Sequence, residues 1–232
     1  MHSVLIIDDE KEIVELIEIY LINNGYKVYK AYTGQSGLEI IEKEKINLII
    51  LDIMMPDMDG YSVCMKVRKN NNIPIIMLSA KSQTMDKIQG LSTGADDYVT
   101  KPFDPMELVA RVGAQIRRYT YLNNSRDETR DDDIIEIRGI HINTKNHKVS
   151  FLGEEIKLTP TEYEILTLLA HNCGQVFSAE DIYRKVWKEK YFEGNNTVMA
   201  HMWRLREKIE KNPKEPEIIE TVWGVGYKIE KQ

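Results

Sequence analysis

The chain has 232 residues, is 42% hydrophobic and 29% charged, and carries a formal net charge of −6, a composition of folded domains rather than of a disordered or fibrous chain. No apolar run approaches the ~18 residues that cross a bilayer, which leaves no membrane partner. The start, MHSVLIIDDE, has no basic segment before its apolar stretch and reads as a strand, not a signal peptide.

Through residues 1–119, short apolar or β-branched runs at 4–7, 27–30, 48–51, 75–78 and 98–100 alternate with helix-length amphipathic stretches. In 12–22, Ile13, Leu16, Ile17 and Tyr20 fall at i, i+3, i+4 and i+7 and predict one apolar helix face. Strands alternating with helices predict an α/β domain, a five-stranded parallel sheet doubly wound by right-handed crossovers. Its reactive site belongs at the carboxyl ends of the strands.

Residues 120–133, TYLNNSRDETRDDD, lack apolar periodicity and read as a linker, with a polar loop inside one domain as the alternative. Residues 134–142 and 148–158 alternate around Gly139, Asn146 and Gly153 and predict a small antiparallel sheet. Thr159-Pro160-Thr161-Glu162 caps a first helix, Ser178-Ala179-Glu180-Asp181 a second ending at Trp187, and Asn195-Asn196-Thr197 precedes a third over 198–211. The end, IIETVWGVGYKIE, is a hairpin pattern with Gly224 and Gly226. Sheet, three helices and hairpin make the pattern of a winged helix-turn-helix over 134–232. Cys64 and Cys173 stand far apart in no metal-like spacing and read as idle thiols of a reducing cytoplasm.

Charge is uneven along the chain. Residues 1–119 carry 14 Lys+Arg against 17 Asp+Glu, residues 120–133 carry 2 against 5, and residues 134–232 carry 15 against 15. A nucleic-acid-binding face in the second half must therefore come from local clustering.

In the first half, Asp8 and Asp9 follow the first strand, Asp52 the third, Ser79 the fourth and Lys101 the fifth. Carboxylates gathered in one crevice repel unless a cation neutralises them, and Mg²⁺, hard and oxygen-seeking, suits that role. Lys101 supplies a mobile point charge for a phosphoryl oxygen. A carboxylate can attack phosphorus to give an acyl phosphate, after which the protein positions groups and neutralises charge. Any one of these acids alone could instead cap a helix or face water.

The segments IIDDE, LDIMMPDMDG, IIMLSA and GADDYVTKPF, in this order and spacing, closely resemble the receiver domain of two-component response regulators across residues 1–119. That resemblance implies that Asp52 is the phosphoacceptor. It implies that Asp9, Asp52 and the Met54 backbone carbonyl bind Mg²⁺, with Asp8 acting through water. Ser79 and Lys101 would contact the phosphoryl oxygens, and Tyr98 would be the switch aromatic. Lys101-Pro102 is a candidate cis peptide, because X-Pro is the bond for which cis is cheap. In receivers of the OmpR/PhoB class the fifth strand and its flanking helices form a dimer face. The matching positions are Lys87, Asp96, Asp97, Glu107, Arg111 and Arg118, with Ile88, Leu91 and Val109 as an apolar patch. Mixed charge of this kind suits self-complementary pairing about a two-fold axis.

In the third helix of the second half, Val198, Met202, Leu205 and Ile209 form one apolar face, while Thr197, Ala200, His201, Trp203, Arg204 and Lys208 fall mainly elsewhere. An exposed helix carrying such residues can enter a major groove, where Arg reads guanine and Ala or Thr methyls meet thymine. A solvated surface helix is the plainer reading. LTPTEYEILTLLAHNCGQVFS, NTVMAHMWRLREKIE and TVWGVGYKIE resemble the OmpR/PhoB-type winged-helix effector, which favours DNA. Asn196 joins the implied contacts, with Thr221, Trp223 and Tyr227 in the wing. Trp203 and Trp223 stand where many relatives carry a basic residue, and Met199-Ala200 where an acid and a β-branched residue are frequent; which bases are read is put in doubt. ARVGAQIRRY, the NNT helix start and TVWGVGYKIEK look most like the VanR-type regulators of vancomycin resistance.

The whole chain is thus similar to a cytoplasmic response regulator. A sensor histidine kinase would phosphorylate Asp52, the receiver would form a homodimer, and the winged helices would bind a direct or inverted repeat in double-stranded DNA, with RNA polymerase as a further partner. Mg-dependent self-phosphorylation and dephosphorylation would be its only enzymatic chemistry. Two rivals remain: a regulator that binds DNA independently of phosphorylation, and an aspartyl-phosphate hydrolase using the same acids. Arg204→Ala is expected to weaken specific DNA binding.

Overall fold

A computed structural model describes residues 1–80, 94–123, 133–188 and 197–231. The chain divides into two compact units, Met1–Tyr119 and Thr120–Gln232.

The first unit runs β1 (Ser3–Ile7), α1 (Lys11–Asn23), β2 (Lys27–Ala31), α2 (Gly34–Lys43), β3 (Leu48–Asp52), α3 (Gly60–Arg68), β4 (Ile75–Ala80), β5 (Asp97–Lys101) and α4 (Pro105–Asn123). The five strands pair in parallel in the order β2-β1-β3-β4-β5. Side chains alternate faces along a strand, and here both faces are covered. Leu5, Ile7, Ile49, Leu51, Ile75 and Met77 pack with Val63, Cys64 and Val67 of α3 on one side. Val4, Ile6, Leu48, Ile50, Ile76 and Leu78 pack with residues of α1 and α4 on the other. That double coverage is why these strands read as unbroken apolar runs.

The face of α1 that meets the sheet differs from the expected one. Val14, Ile17 and Leu21 are buried, Ile13 and Tyr20 are half-buried, and Leu16 is exposed. The helix carries two overlapping apolar stripes, and periodicity alone does not say which one the sheet takes. Helix α4 also runs to Asn123, into the stretch that lacks periodicity.

The second unit is β6 (Ile134–Ile137), β7 (Ile140–Asn143), β8 (Lys148–Phe151), β9 (Glu154–Ile156), α5 (Pro160–His171), α6 (Ala179–Trp187), α7 (Thr197–Ile209), β10 (Ile219–Val222) and β11 (Gly226–Ile229). Strands β6–β9 form an antiparallel meander and β10–β11 a hairpin. Helices α5 and α6 both start in capping boxes, Thr159 with Glu162 and Ser178 with Asp181, which satisfy two otherwise orphaned backbone donors at each helix start. One core joins them, with Ile165, Leu166, Ile182, Tyr183, Val198, Met202, Leu205 and Ile229 at its centre. Gly226 is required where the hairpin meets the chain ahead of α6. The Phe177 and Tyr227 backbones exchange hydrogen bonds at 2.9 Å, and a Cβ on Gly226 would stand 1.9 Å from the Phe177 carbonyl oxygen.

Cys64 is buried and Cys173 half-buried, its thiol donating to the Ala170 carbonyl at 2.9 Å; neither forms a disulfide among the described residues.

Candidate functional site

In an open parallel sheet ordered 2-1-3-4-5, the order in which strands are added reverses between β1 and β3, opening a crevice beyond their carboxyl ends. Asp8 follows β1 there and Asp52 ends β3; both are buried, while Asp9 faces solvent. Asp8, Asp9 and Asp52 each offer one oxygen, all within 4.8 Å of one another. Lys101, closing β5, reaches in with Nζ 2.7 Å from Asp52 Oδ1, 2.9 Å from Asp8 Oδ2 and 3.1 Å from Glu10 Oε1. Glu10 is a fourth acid that the sequence reading did not include, although it directly follows Asp8-Asp9.

Electrostatics follows from this crowding. Burial pushes the Asp8 carboxyl above its ordinary value, and repulsion from Asp52 adds to this; the Lys101 hydrogen bond only partly opposes them. Burial alone would lower the Lys101 ammonium, but hydrogen bonds to Asp52 and Asp8 outweigh it and hold the group well above its usual value. Oxygen donors this close, one of them pushed toward its neutral form, fit a small hard dication.

Asp52 is held by its surroundings. Its Oδ2 accepts the Met54 N–H at 2.7 Å. Asp59 caps α3 by accepting the Ser62 N–H at 2.7 Å, and the Gly60 N–H donates to the Ile53 carbonyl at 3.0 Å. A Cβ on Gly60 would fall 2.2 Å from the Asp52 carbonyl oxygen, so the loop can press on the acid only with glycine there. Ser79 lies next to Thr100 in register. Its buried hydroxyl has no hydrogen-bond partner among the described residues. Tyr98, half-buried on β5, packs against the core on the α3 side of the sheet. The Lys101-Pro102 peptide is cis.

Several residues of the expected dimer face are engaged within the chain. Lys87, Ile88 and Leu91 lie outside the described residues. Asp96 is fully buried, accepting from Arg68 Nη2 at 2.7 Å and from the Ile75 N–H at 3.0 Å, and so joins α3 to the sheet. Val109 packs into the core between the sheet and α4. Asp97, Arg111 and Arg118 are buried too. Arg111 is shared between Asp97 at 3.0 Å and Glu107 at 2.8 Å, and Arg118 donates to Gln115 at 3.1 Å. Burial raises the Asp97 carboxyl despite Arg111. Once desolvated by α4, these charges must be satisfied within the chain. Glu107 alone of the described charged positions is exposed.

Several residues of the expected DNA-contact set are likewise buried or paired within the chain. Asn196 lies outside the described residues. Thr197, Ala200, His201 and Arg204 are buried rather than on an open face. His201 lies against Trp187, ring centroids 5.4 Å apart. Arg204 Nη1 stands 3.8 Å from Glu162 Oε1, and Lys208 Nζ 2.6 Å from Glu162 Oε2. Burial would raise the Glu162 carboxyl, but the charges of Lys208 and Arg204 outweigh it and hold it below its ordinary value. Glu162 thus closes a capping box on α5 and clamps α7 at once. The sequence discloses the first role through Thr159 and hides the second, which depends on a residue more than forty positions away. Arg206 is engaged as well, donating to the Ile219 carbonyl at 2.6 Å and to Thr221 Oγ1 at 2.8 Å and lying over the Tyr227 ring. Of the wing residues Thr221 and Tyr227 are half-buried, and Trp223 is 90% exposed.

Comparison with known proteins matches residues 4–113 to the response regulator receiver domain and residues 153–229 to the transcriptional regulatory protein C-terminal domain. The chain is 48% identical over 230 residues to the regulatory protein VanRc of Enterococcus gallinarum and 46% identical over 230 residues to VanR of Enterococcus faecium, each match covering 99% of both chains. It is 30% identical to the solved response regulator DrrB of Thermotoga maritima, an OmpR/PhoB homolog, with 99% of each chain covered and a TM-score of 0.51.

Proposed function

The chain belongs to the two-component response regulators with an OmpR/PhoB-type DNA-binding domain, and from that premise we propose that Asp52 receives the phosphoryl group that controls DNA binding. One observation carries the reading: an acid at the end of β3 meets Lys101 at 2.7 Å, in a crevice that also holds Asp8 and Asp9; Ser79, on the neighbouring strand, has a buried hydroxyl with no partner among the described residues.

The donor is a phosphohistidine of a sensor kinase. An Asp52 carboxylate oxygen forms a bond to phosphorus as the P–N bond breaks, and the departing imidazole takes up a proton. The Lys101 ammonium passes from the carboxylates to the new phosphoryl oxygens, and Ser79 donates its hydroxyl hydrogen to one of them. Tyr98 is the aromatic that reports the change on β5. Asp9, Asp52 and the Met54 carbonyl, with Asp8 through water, would hold Mg²⁺, which when bound neutralises charge on the transferring group. Hydrolysis of the acyl phosphate at the same residues resets the protein.

Phosphorylation then favours a homodimer through the receiver, and two winged helices read a repeated site in double-stranded DNA. Residues 120–133 serve as the linker. The protein acts in the cytoplasm, with RNA polymerase as its further partner. Likeness to VanRc and VanR along the whole chain favours glycopeptide-resistance or cell-envelope genes as targets. The test is intact-mass measurement after acetyl phosphate and Mg²⁺, with size-exclusion light scattering alongside. Wild type should gain one phosphoryl group and shift to dimer. Asp52→Ala doing the same would refute the assignment, and Asp52→Ala staying unmodified but already dimeric and DNA-bound would favour the phosphorylation-independent rival.

A further inference from the structure

The open surface of α7 is not the basic face expected of it. Arg204 is buried against Glu162, Lys208 is paired with the same acid, and Arg206 is tied to β10. What α7 does expose is Met199 (49%), Trp203 (37%) and Glu207. Their i, i+4, i+8 spacing lays them in one stripe along the helix. The Trp203 indole N–H donates to Glu207 Oε1 at 3.0 Å. That N–H is the only polar group on the indole, so the stripe presents a pinned ring, a thioether and one acid.

In a helix-turn-helix the second helix lies in the major groove with its N-terminal residues at the base edges. Here α7 is that helix, following α6 and packed on α5 and α6. The guanidinium and ammonium groups of the described helix are already engaged, so the usual bidentate reading of guanine has no free donor here. A ring whose N–H is occupied offers only carbon, and the carbon group that the major groove presents is the thymine methyl. The neighbouring Glu207 would be repelled by phosphates, which places the stripe at the floor of the groove rather than along its sugar–phosphate edge.

We propose, resting on the DNA-binding reading above, that Trp203 with Met199 determines the specificity of α7 by selecting thymine through its methyl group. The experiment takes full-length protein, treated with acetyl phosphate and Mg²⁺, through selection from random duplexes. Each thymine of the enriched duplex is then replaced singly by deoxyuridine, which lacks the methyl. Loss of one buried methyl corresponds to about a four-fold weaker Kd. Wild type should show that penalty at a thymine in each half-site. Trp203→Ala should bind more weakly and be indifferent to the swap at those positions, with an unchanged salt slope because no cation is lost. Wild type indifferent to every thymine swap, or Trp203→Ala retaining the penalty, overturns the proposal; the first arm needs no variant and is independent of folding. Enrichment of no duplex by wild type overturns this proposal and the DNA-binding reading together, whereas enrichment without a thymine penalty overturns this one alone.

Discussion

Both oxygens of Asp52 are engaged, Oδ2 by the Met54 N–H and Oδ1 by Lys101, whereas the nearby Ser79 hydroxyl is buried with no partner among the described residues. A buried hydroxyl without a hydrogen bond is costly, and a phosphoryl oxygen would satisfy it. Ser79→Ala is therefore expected to leave the fold intact and slow acetyl-phosphate modification by about ten-fold, on the order of 1.4 kcal/mol. Phosphate-affinity gels would measure this, and an unchanged rate would remove Ser79 from the site. Gly60 gives a second test. Its missing side chain allows the Asp52 carbonyl to sit where a Cβ would fall at 2.2 Å. Gly60→Ala should destabilise the first unit by about 1–3 kcal/mol, read as a lower midpoint in urea. Asp8, Asp9, Asp52, Ser79 and Lys101 were legible because each ends or follows an apolar run. The burial of Asp96 and Asp97 is not legible, because sequence does not show whether a charged residue at a strand start faces solvent or an arginine; for Asp96 it is Arg68, 28 positions away.

Among the elements, α7 shows the gap between pattern and packing most clearly. Its apolar face is legible in the spacing, and Val198, Met202, Leu205 and Ile209 are all buried. Its other faces look open in sequence because helical spacing does not register a neighbour such as α5. The buried acid that receives Arg204 and Lys208 belongs to that neighbour. Arg204→Ala should consequently lower the stability of the second unit by about 1–3 kcal/mol, less than the full loss of a buried ion pair because Lys208 still meets Glu162 at 2.6 Å, before any effect on DNA affinity is read. Thermal denaturation separates the two: unchanged stability with lost DNA binding would restore Arg204 as a contact. The clamp also sets a pH dependence. Glu162 is held below its ordinary value of 4.5 by Lys208 and Arg204 in spite of burial. A depressed carboxyl contributes stability that is present above the unfolded value and lost as pH falls through the folded one. The second unit should therefore weaken on acidification below about 4.5, and Glu162→Gln should be less stable at pH 7 with a shallower acid limb in denaturant titrations. An equally steep limb in that variant would place the titrating group elsewhere.

For the whole molecule, the alternation of strand and helix runs made the doubly wound unit legible, and the caps at Thr159 and Ser178 marked the winged-helix unit. The sequence did not show that α4 continues to Asn123, since the residues after Tyr119 lack periodicity and helix ends depend on packing as much as on pattern. Chemistry at Asp52, in one compact unit, is expected to change DNA affinity in the other. The most direct measurement of this coupling is the affinity of full-length protein for a selected duplex before and after acetyl phosphate with Mg²⁺, beside Asp52→Ala. Wild type should tighten on the order of ten-fold and Asp52→Ala should not respond; equal affinity in every state, or the same gain without Asp52, would refute the coupling.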